Sequence, residues 1–240
     1  MKYEINWSVL WQESPYGELY YQLLLNGLGW TIFIALFAWI LAFALGSFIG
    51  VMRTTDSKFW QIFGQGYVEV FRNIPLLVQI FLWYFVIPEF FWGSASTWLK
   101  QLSPVYTSII CLGFFTSARI AEQVKAGIEA LPRGQRMASL ALGLTSRQSY
   151  RYVLLPTAYR IMLPPLTSEF LSLVKNTSVC FTIGVMELMG QTNSMSEFTF
   201  KTFEALTAAT TLYLLINLVV VLIARFLERK TSIPGFMTSH

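Results

Sequence analysis

Four sets of polar residues lie in otherwise apolar sequence. Each raises a chemical question, because a charge in hydrocarbon is costly and persists only where it is paired or used. Glu69 and Arg72 stand three apart, so on a helix they share a face and can pair. Arg119 and Glu122 repeat that spacing in reverse order. Glu169 and Lys175 precede Thr177 and Ser178, with the doublet Pro164-Pro165 upstream, and Asn217 stands alone. Such sets can recognise a charged solute, relay protons, or simply neutralise one another and hold a helix bundle together. Lys175, followed by Asn176 and Thr177, offers several donors beside a helix that two prolines can locally unwind. That reads as a polar pathway more than as glue. Pro75, two residues after Asn73, removes one helical hydrogen bond and should bend its helix, either as a packing kink or as part of a gate.

Other chemistries find no residues to run them. There is no Gly-x-x-x-x-Gly-Lys phosphate loop, no Gly-x-Ser-x-Gly elbow, and no cluster of His, Cys, Asp and Glu at ligand spacing. His240 is the only histidine. Cys111 and Cys180 fall inside apolar runs and read as small apolar residues, with no disulfide framework. The chain is therefore expected to be no enzyme and to carry no cofactor or metal. Any uphill work must draw on an ion gradient or a partner protein.

The elements that position these residues belong in a bilayer. The 240 residues are 55% hydrophobic and 12% charged, with mean hydropathy +0.53. Leu19 to Met52 carries no charge, and its stretch Leu28 to Val51 is long enough to cross about 30 Å of hydrocarbon. The expected fold is all-α, one transmembrane domain over residues 1–240, with spans at about 28–52, 67–90, 105–126, 161–186 and 205–227. Met1 to Gln22 is net acidic, which argues against a cleavable signal peptide. With the amino terminus outside, Arg53, Lys58, Lys125 and the arginines of the 132–156 loop fall inside, against Lys2, Lys100 and Lys201 outside. That asymmetry predicts the carboxyl terminus inside. The isoelectric point near 9.1 then reflects anchoring at anionic lipid and needs no nucleic acid. Trp7, Trp11, Trp83, Trp92 and Trp98 suit an outer aromatic belt.

Between the third and fourth spans lies a basic loop, 132–156, patterned as helix, break, helix. Gly134 to Leu142 are mostly helix formers and Gly143 is a natural C′ residue. Thr145 or Ser146 can cap a second helix running toward Pro156. Met137, Leu140, Ala141 and Leu144 recur at helical spacing, beside Arg133 and Arg136. This apolar face can lie on the membrane surface or dock in a groove of a cytoplasmic protein.

The loop resembles the cytoplasmic coupling segment of ATP-binding-cassette importer permeases. Met137-Ala138-Ser139, Gly143 and Leu155-Pro156 stand where that family has an acidic-Ala-Ala triplet, a glycine and a Leu-Pro. Glu69 to Gln79, Arg119 to Gln135 and Leu173 to Ser178 resemble further signatures of the polar-amino-acid permeases, so the likeness runs from about residue 26 to the end of the fifth span. Within the family the chain looks most like the glutamate/aspartate permease subunits. The resemblance implies a second permease subunit, a different chain by preference, two ATP-binding subunits, and an external solute-binding protein. It implies ATPase contacts at Gly134, Gln135, Arg136, Met137, Ala138, Ser139, Leu140 and Gly143. It also makes Glu69, Arg72, Glu169, Lys175, Thr177 and Ser178 candidates for the substrate pathway, with Arg72 and Lys175 steering a carboxylate. One departure stands out: Met137 occupies the place of the usual glutamate, so an ion pair to the ATPase through that position is impossible.

Two other classes fit the same helices. A secondary carrier would use Glu69, Glu122 or Glu169 as a proton relay and work without ATP. A non-transporting anchor subunit would leave the charges as glue. The anchor reading gives no account of the ordered string of motifs.

Overall fold

Where no water can satisfy the backbone, only helices and closed barrels are stable. Every regular element among the described residues is helical, and the one β contact is an isolated bridge between Glu13 and Leu19. The computed structural model describes residues 4–231, apart from the side chains of Arg133 and Thr231; His240 and Lys2 lie outside the described residues. In chain order the helices are α1 (Tyr20–Met52), α2 (Lys58–Asn73), α3 (Leu76–Phe81), α4 (Ser94–Gln101), α5 (Pro104–Glu129), α6 (Arg133–Ala141), α7 (Ser146–Ser149), α8 (Leu155–Asn176), α9 (Leu188–Thr199) and α10 (Thr202–Thr231). Among them α1, α5 and α10 are long and apolar enough to cross a membrane, and the segments on either side of Pro75 make a fourth if taken as one broken span. The protein is a multi-pass helical membrane protein.

Two expected irregularities came out differently. The chain at Pro75 is a full break, not a kink: Ile74 (ψ 126°) and Pro75 (ψ 140°) are both extended, and α3 starts afresh. The pyrrolidine ring pushes its predecessor out of the helical region, while its missing N–H is harmless at a helix start. At Pro164-Pro165 the reverse holds. Helix α8 continues through both prolines and tightens only after Asn176, into a 3₁₀ turn over Thr177–Ile183 that ends at Gly184, φ 86°. Proline's fixed φ is itself helical, so the ring removes bonds without forbidding the conformation.

The chain divides into two compact units. One comprises Met1–Trp39, Pro75–Gly113 and Ser172–Val219. Its core gathers Val9, Tyr20, Leu23, Leu24, Leu188 and Met195 with Ala205 and Ala209. Residues preceding α1 are tied down here, for the Asn6 N–H donates to Glu204 at 2.7 Å. The other comprises Ile40–Ile74, Phe114–Leu171 and Val220–His240, with Ile49, Met52, Val68 and Ala121 at its core. There α1 meets α5 almost backbone to backbone: a Cβ on Gly46 would sit 2.6 Å from the Ser117 carbonyl oxygen, and one on Gly50 2.6 Å from Val124 Cβ. Small residues permit that approach, which supplies the van der Waals contact on which helix association in lipid depends.

Candidate functional site

In the second unit the charges converge on Glu122 of α5. Its Oε1 lies 2.7 Å from Arg53 Nη1, at the end of α1, and its Oε2 lies 3.5 Å from Arg72 Nη1, in the last turn of α2. The side chain of Arg53 is 4% exposed, that of Glu122 34% and that of Arg72 51%. Arg53 Nη2 also donates to Gln65 Oε1 at 2.6 Å, and Gln65 Nε2 donates to Glu69 Oε1 at 2.7 Å. Arg53, Gln61, Gln65, Glu69 and Lys125 line a cleft of about 430 Å³. Nearby, Arg119 reaches Glu169 at 3.8 Å and stacks over the Phe115 ring at 5.2 Å. The Tyr67 hydroxyl is 2.6 Å from that of Ser117.

This wiring corrects the two pairings expected within single helices. Glu69 and Arg72 do not pair with each other, nor do Arg119 and Glu122; Glu122 takes Arg53 and Arg72, and Arg119 takes Glu169. A same-helix pair contributes only a few tenths of a kcal/mol. A partly desolvated carboxylate on a neighbouring helix attracts a guanidinium more strongly, because less water screens the pair. In the sequence Arg53 stands out only as an inward-side charge. Its burial, which makes it the anchor of the cluster, has no signature in a one-dimensional pattern.

The loop is built from its own backbone. Helix α6 closes with Gly143 at φ 85°, the Gly143 N–H bonded to the Leu140 carbonyl at 2.9 Å and the Leu144 N–H to the Ser139 carbonyl at 3.2 Å. Those two bonds form a Schellman motif, and the left-handed glycine is what it requires. Thr145 then caps α7, with a reciprocal capping box to Gln148. From Ser146 the chain passes through a wider π turn, Tyr150–Leu154, directly into α8. A buried 2.6 Å bond between the Ser139 and Ser149 hydroxyls joins α6 to α7. Met137 and Leu140 are exposed, as are Gly134, Ala138, Ala141 and Leu142; Gln135, Arg136 and Leu144 are half-buried, and Ser139 is buried. Arg136 is held by Asp56 at 2.6 Å, and that hydrogen bond raises the guanidinium above its ordinary pKa.

In the first unit Lys175 is exposed and makes no ion pair among the described residues. Thr177 is buried and Ser178 half-buried, and their hydroxyls donate back to the carbonyls of Val174 and Lys175, each at 2.8 Å. Sequence reading missed Glu187 altogether. This fully buried carboxylate accepts from the Thr31 and Tyr213 hydroxyls, both at 3.1 Å, and caps α9 through the Gly190 N–H at 2.9 Å. Its signal was a lone acid closing the apolar run through Val185 and Met186.

Apolar helices, crossed by cross-helix ion pairs and interrupted by one loop with an uncovered apolar face, make this chain a helical protein of the bilayer. It belongs to the family described as the binding-protein-dependent transport system inner membrane component, whose model matches residues 42–233. The chain is 44% identical to the glutamate/aspartate import permease GltJ of Escherichia coli (strain K12), with 99% of each chain covered. It is 31% identical to the glutamine transport system permease GlnP of the same strain, over 96% of this chain and 99% of the relative. Among solved structures it resembles an amino acid ABC transporter crystallised with histidines, at TM-score 0.77 and 28% identity, covering 88% of this chain and 95% of the other.

Proposed function

We propose that this chain is the permease subunit of an ATP-driven importer for acidic amino acids, glutamate and aspartate. The observation that carries this reading is the 44% identity, end to end, with a glutamate/aspartate import permease. The loop supports it: α6 and its C-cap present Met137, Leu140 and Leu142 uncovered on a turn closed by the loop's own backbone bonds. In this reading Gly134 to Gly143 contact an ATP-binding subunit, present in two copies, with Met137 making apolar contact and Arg136 or Arg133 supplying charge. A second, different permease completes the pathway, an external solute-binding protein delivers the amino acid, and lipid surrounds the exposed faces of α1 and α10. Five spans are read from the apolar runs of the sequence, and the charge asymmetry supports an amino terminus outside and a carboxyl terminus inside the bacterial inner membrane. Substrate-pathway roles go to Arg72, Glu69, Lys175, Glu169, Thr177 and Ser178. Arg72 keeps half its surface open while paired, and Lys175 is exposed and makes no ion pair among the described residues, so both can meet a carboxylate.

The test is gentle-detergent purification of the tagged chain, identification of what accompanies it, and an ATPase assay of the eluate. A nucleotidase and a second permease, with hydrolysis stimulated by glutamate-loaded binding protein, is the expected result. A lone chain that moves glutamate in vesicles without ATP, and stops with an uncoupler, would instead establish a gradient-driven carrier.

A further inference from the structure

We propose that the turn joining α1 to α2, residues 53–57, is a relay that carries movement of the loop helix α6 into the Glu122 ion cluster. Arg136, Tyr150 and Arg53 act as its positioning residues. The inference rests on the importer reading and adds to it a route by which the loop reaches the charged cluster.

The loop grips the turn at two points. Arg136 Nη2 bonds Asp56 Oδ2 at 2.6 Å, and the Tyr150 hydroxyl donates to the Thr54 carbonyl at 2.7 Å while lying 3.1 Å from Thr54 Oγ1. One grip comes from α6 and the other from the π turn that leads into α8, and the buried Ser139–Ser149 bond ties these two parts of the loop together. A displacement of α6 therefore pulls the turn as a unit.

The turn is stiff enough to pass a displacement on. Thr54 and Thr55 return their hydroxyls to the carbonyls of Val51 and Met52 at 2.9 and 2.7 Å, and Gln61 Nε2 donates to the Thr55 carbonyl at 2.6 Å. At its start stands Arg53, whose stem runs so close over Gly64 that a Cβ there would lie 2.6 Å from Arg53 Cγ. Packed in this way, Arg53 follows the turn and cannot swing out to solvent.

Beyond Arg53 lies a carboxylate with two cationic partners, between which a displacement can choose, as a coupling route needs if it is to be more than spatial adjacency. Glu122 is shared between Arg53 at 2.7 Å and Arg72 at 3.5 Å. Withdrawing Arg53 hands the carboxylate to Arg72, which then loses its freedom to meet a solute carboxylate. Returning Arg53 releases Arg72. The path from α6 to Arg72 consists of direct polar contacts and one turn of backbone.

The test uses the complete complex of permeases, ATPase and binding protein in proteoliposomes, and reads glutamate imported per ATP hydrolysed. Arg136→Ala and Tyr150→Phe should each lower that ratio about two- to fivefold, the scale of an exposed ion pair or a single hydrogen bond. Together they should lower it about tenfold. Exchanging the charges, Arg136→Asp with Asp56→Arg, should recover much of the Arg136→Ala loss. An unchanged ratio in the Arg136→Ala/Tyr150→Phe variant overturns the relay. So does a parallel fall of uptake and hydrolysis with the amount of assembled complex, which marks the contacts as structural only. Tyr150→Phe removes a single oxygen and keeps the test decisive if the charge-exchanged pair does not assemble. A wild-type complex without ATP-driven uptake overturns the importer reading itself, whereas normal wild-type uptake with an unaltered variant ratio overturns the relay alone.

Discussion

Glu187 is held by two hydroxyls and a backbone N–H, with no cation paired to it among the described residues, whereas Glu122 is held by two guanidiniums, one buried and one half in the open. Each is a carboxylate among packed helices, and the difference lies in what their partners can do. Thr31, Tyr213 and Gly190 are fixed to three helices and offer dipoles in one geometry, so Glu187 locks α9 where it starts. Arg53 is packed over Gly64 and moves only with its turn, while Arg72 stands half in the open on another helix, so Glu122 is shared between two partners that can shift relative to each other. The first arrangement fixes a position; the second can record a movement.

Replacing each carboxylate would sharpen the contrast. The largest loss is expected for Glu122→Ala, which strands the buried Arg53 charge. Breaking one side of a buried pair costs about 3–5 kcal/mol, and the partial exposure of Glu122 places this case near 3 kcal/mol. It should show as a lower melting temperature of the detergent-solubilised complex. Glu187→Ala leaves a buried N–H and two hydroxyls to find other partners, and should cost about 1–3 kcal/mol in the same melt.

Glu187→Gln separates the two modes. An amide can accept from the Gly190 N–H, and both hydroxyls can turn to accept from its NH₂ group. A loss under about 1 kcal/mol is expected; a loss as large as that of the alanine variant would show that the negative charge itself is required, breaking the contrast with Glu122. The smallest change is expected for Arg72→Gln. Its exposed ion pair is worth about 0.2–1 kcal/mol, so melting should barely move while glutamate uptake falls. Equal losses in both would make Arg72 part of the scaffold.

Much of this was legible in the chain as a string. Charge-free runs announced the membrane helices, and Gly143 and Thr145 announced where the loop breaks and restarts, because both signals act through local backbone chemistry. The partners of Glu122 were not legible. Spacing along one helix makes Arg119 look like the partner of Glu122 and Glu69 the partner of Arg72, but the contacts of Glu122 are made between α1, α2 and α5, and a pattern of threes and fours carries no information about which helix stands opposite. Proline misled in both directions for a related reason. The ring states what it forbids locally, and the packing of the surrounding helices decides whether the chain breaks, as at Pro75, or continues, as at Pro164-Pro165. Glu187 escaped notice because it sits one residue past the expected end of a span at 186, where an acid looks like ordinary interface.

The self-closure of the loop bears on how such proteins could be re-engineered. Gly143 at φ 85° has no atom within 4 Å of where a Cβ would stand, so the position is constrained by handedness and not by space. Together with the Thr145 cap it sets the loop's shape from within, and the outward side chains Met137, Leu140 and Leu142 take no part in that. Those letters form an address that can be rewritten while the envelope stays intact. Exchanging the three for the residues of another permease, with Gly143 kept, should redirect which ATPase the chain retains in a pull-down. Retention of only the original ATPase would place the address elsewhere.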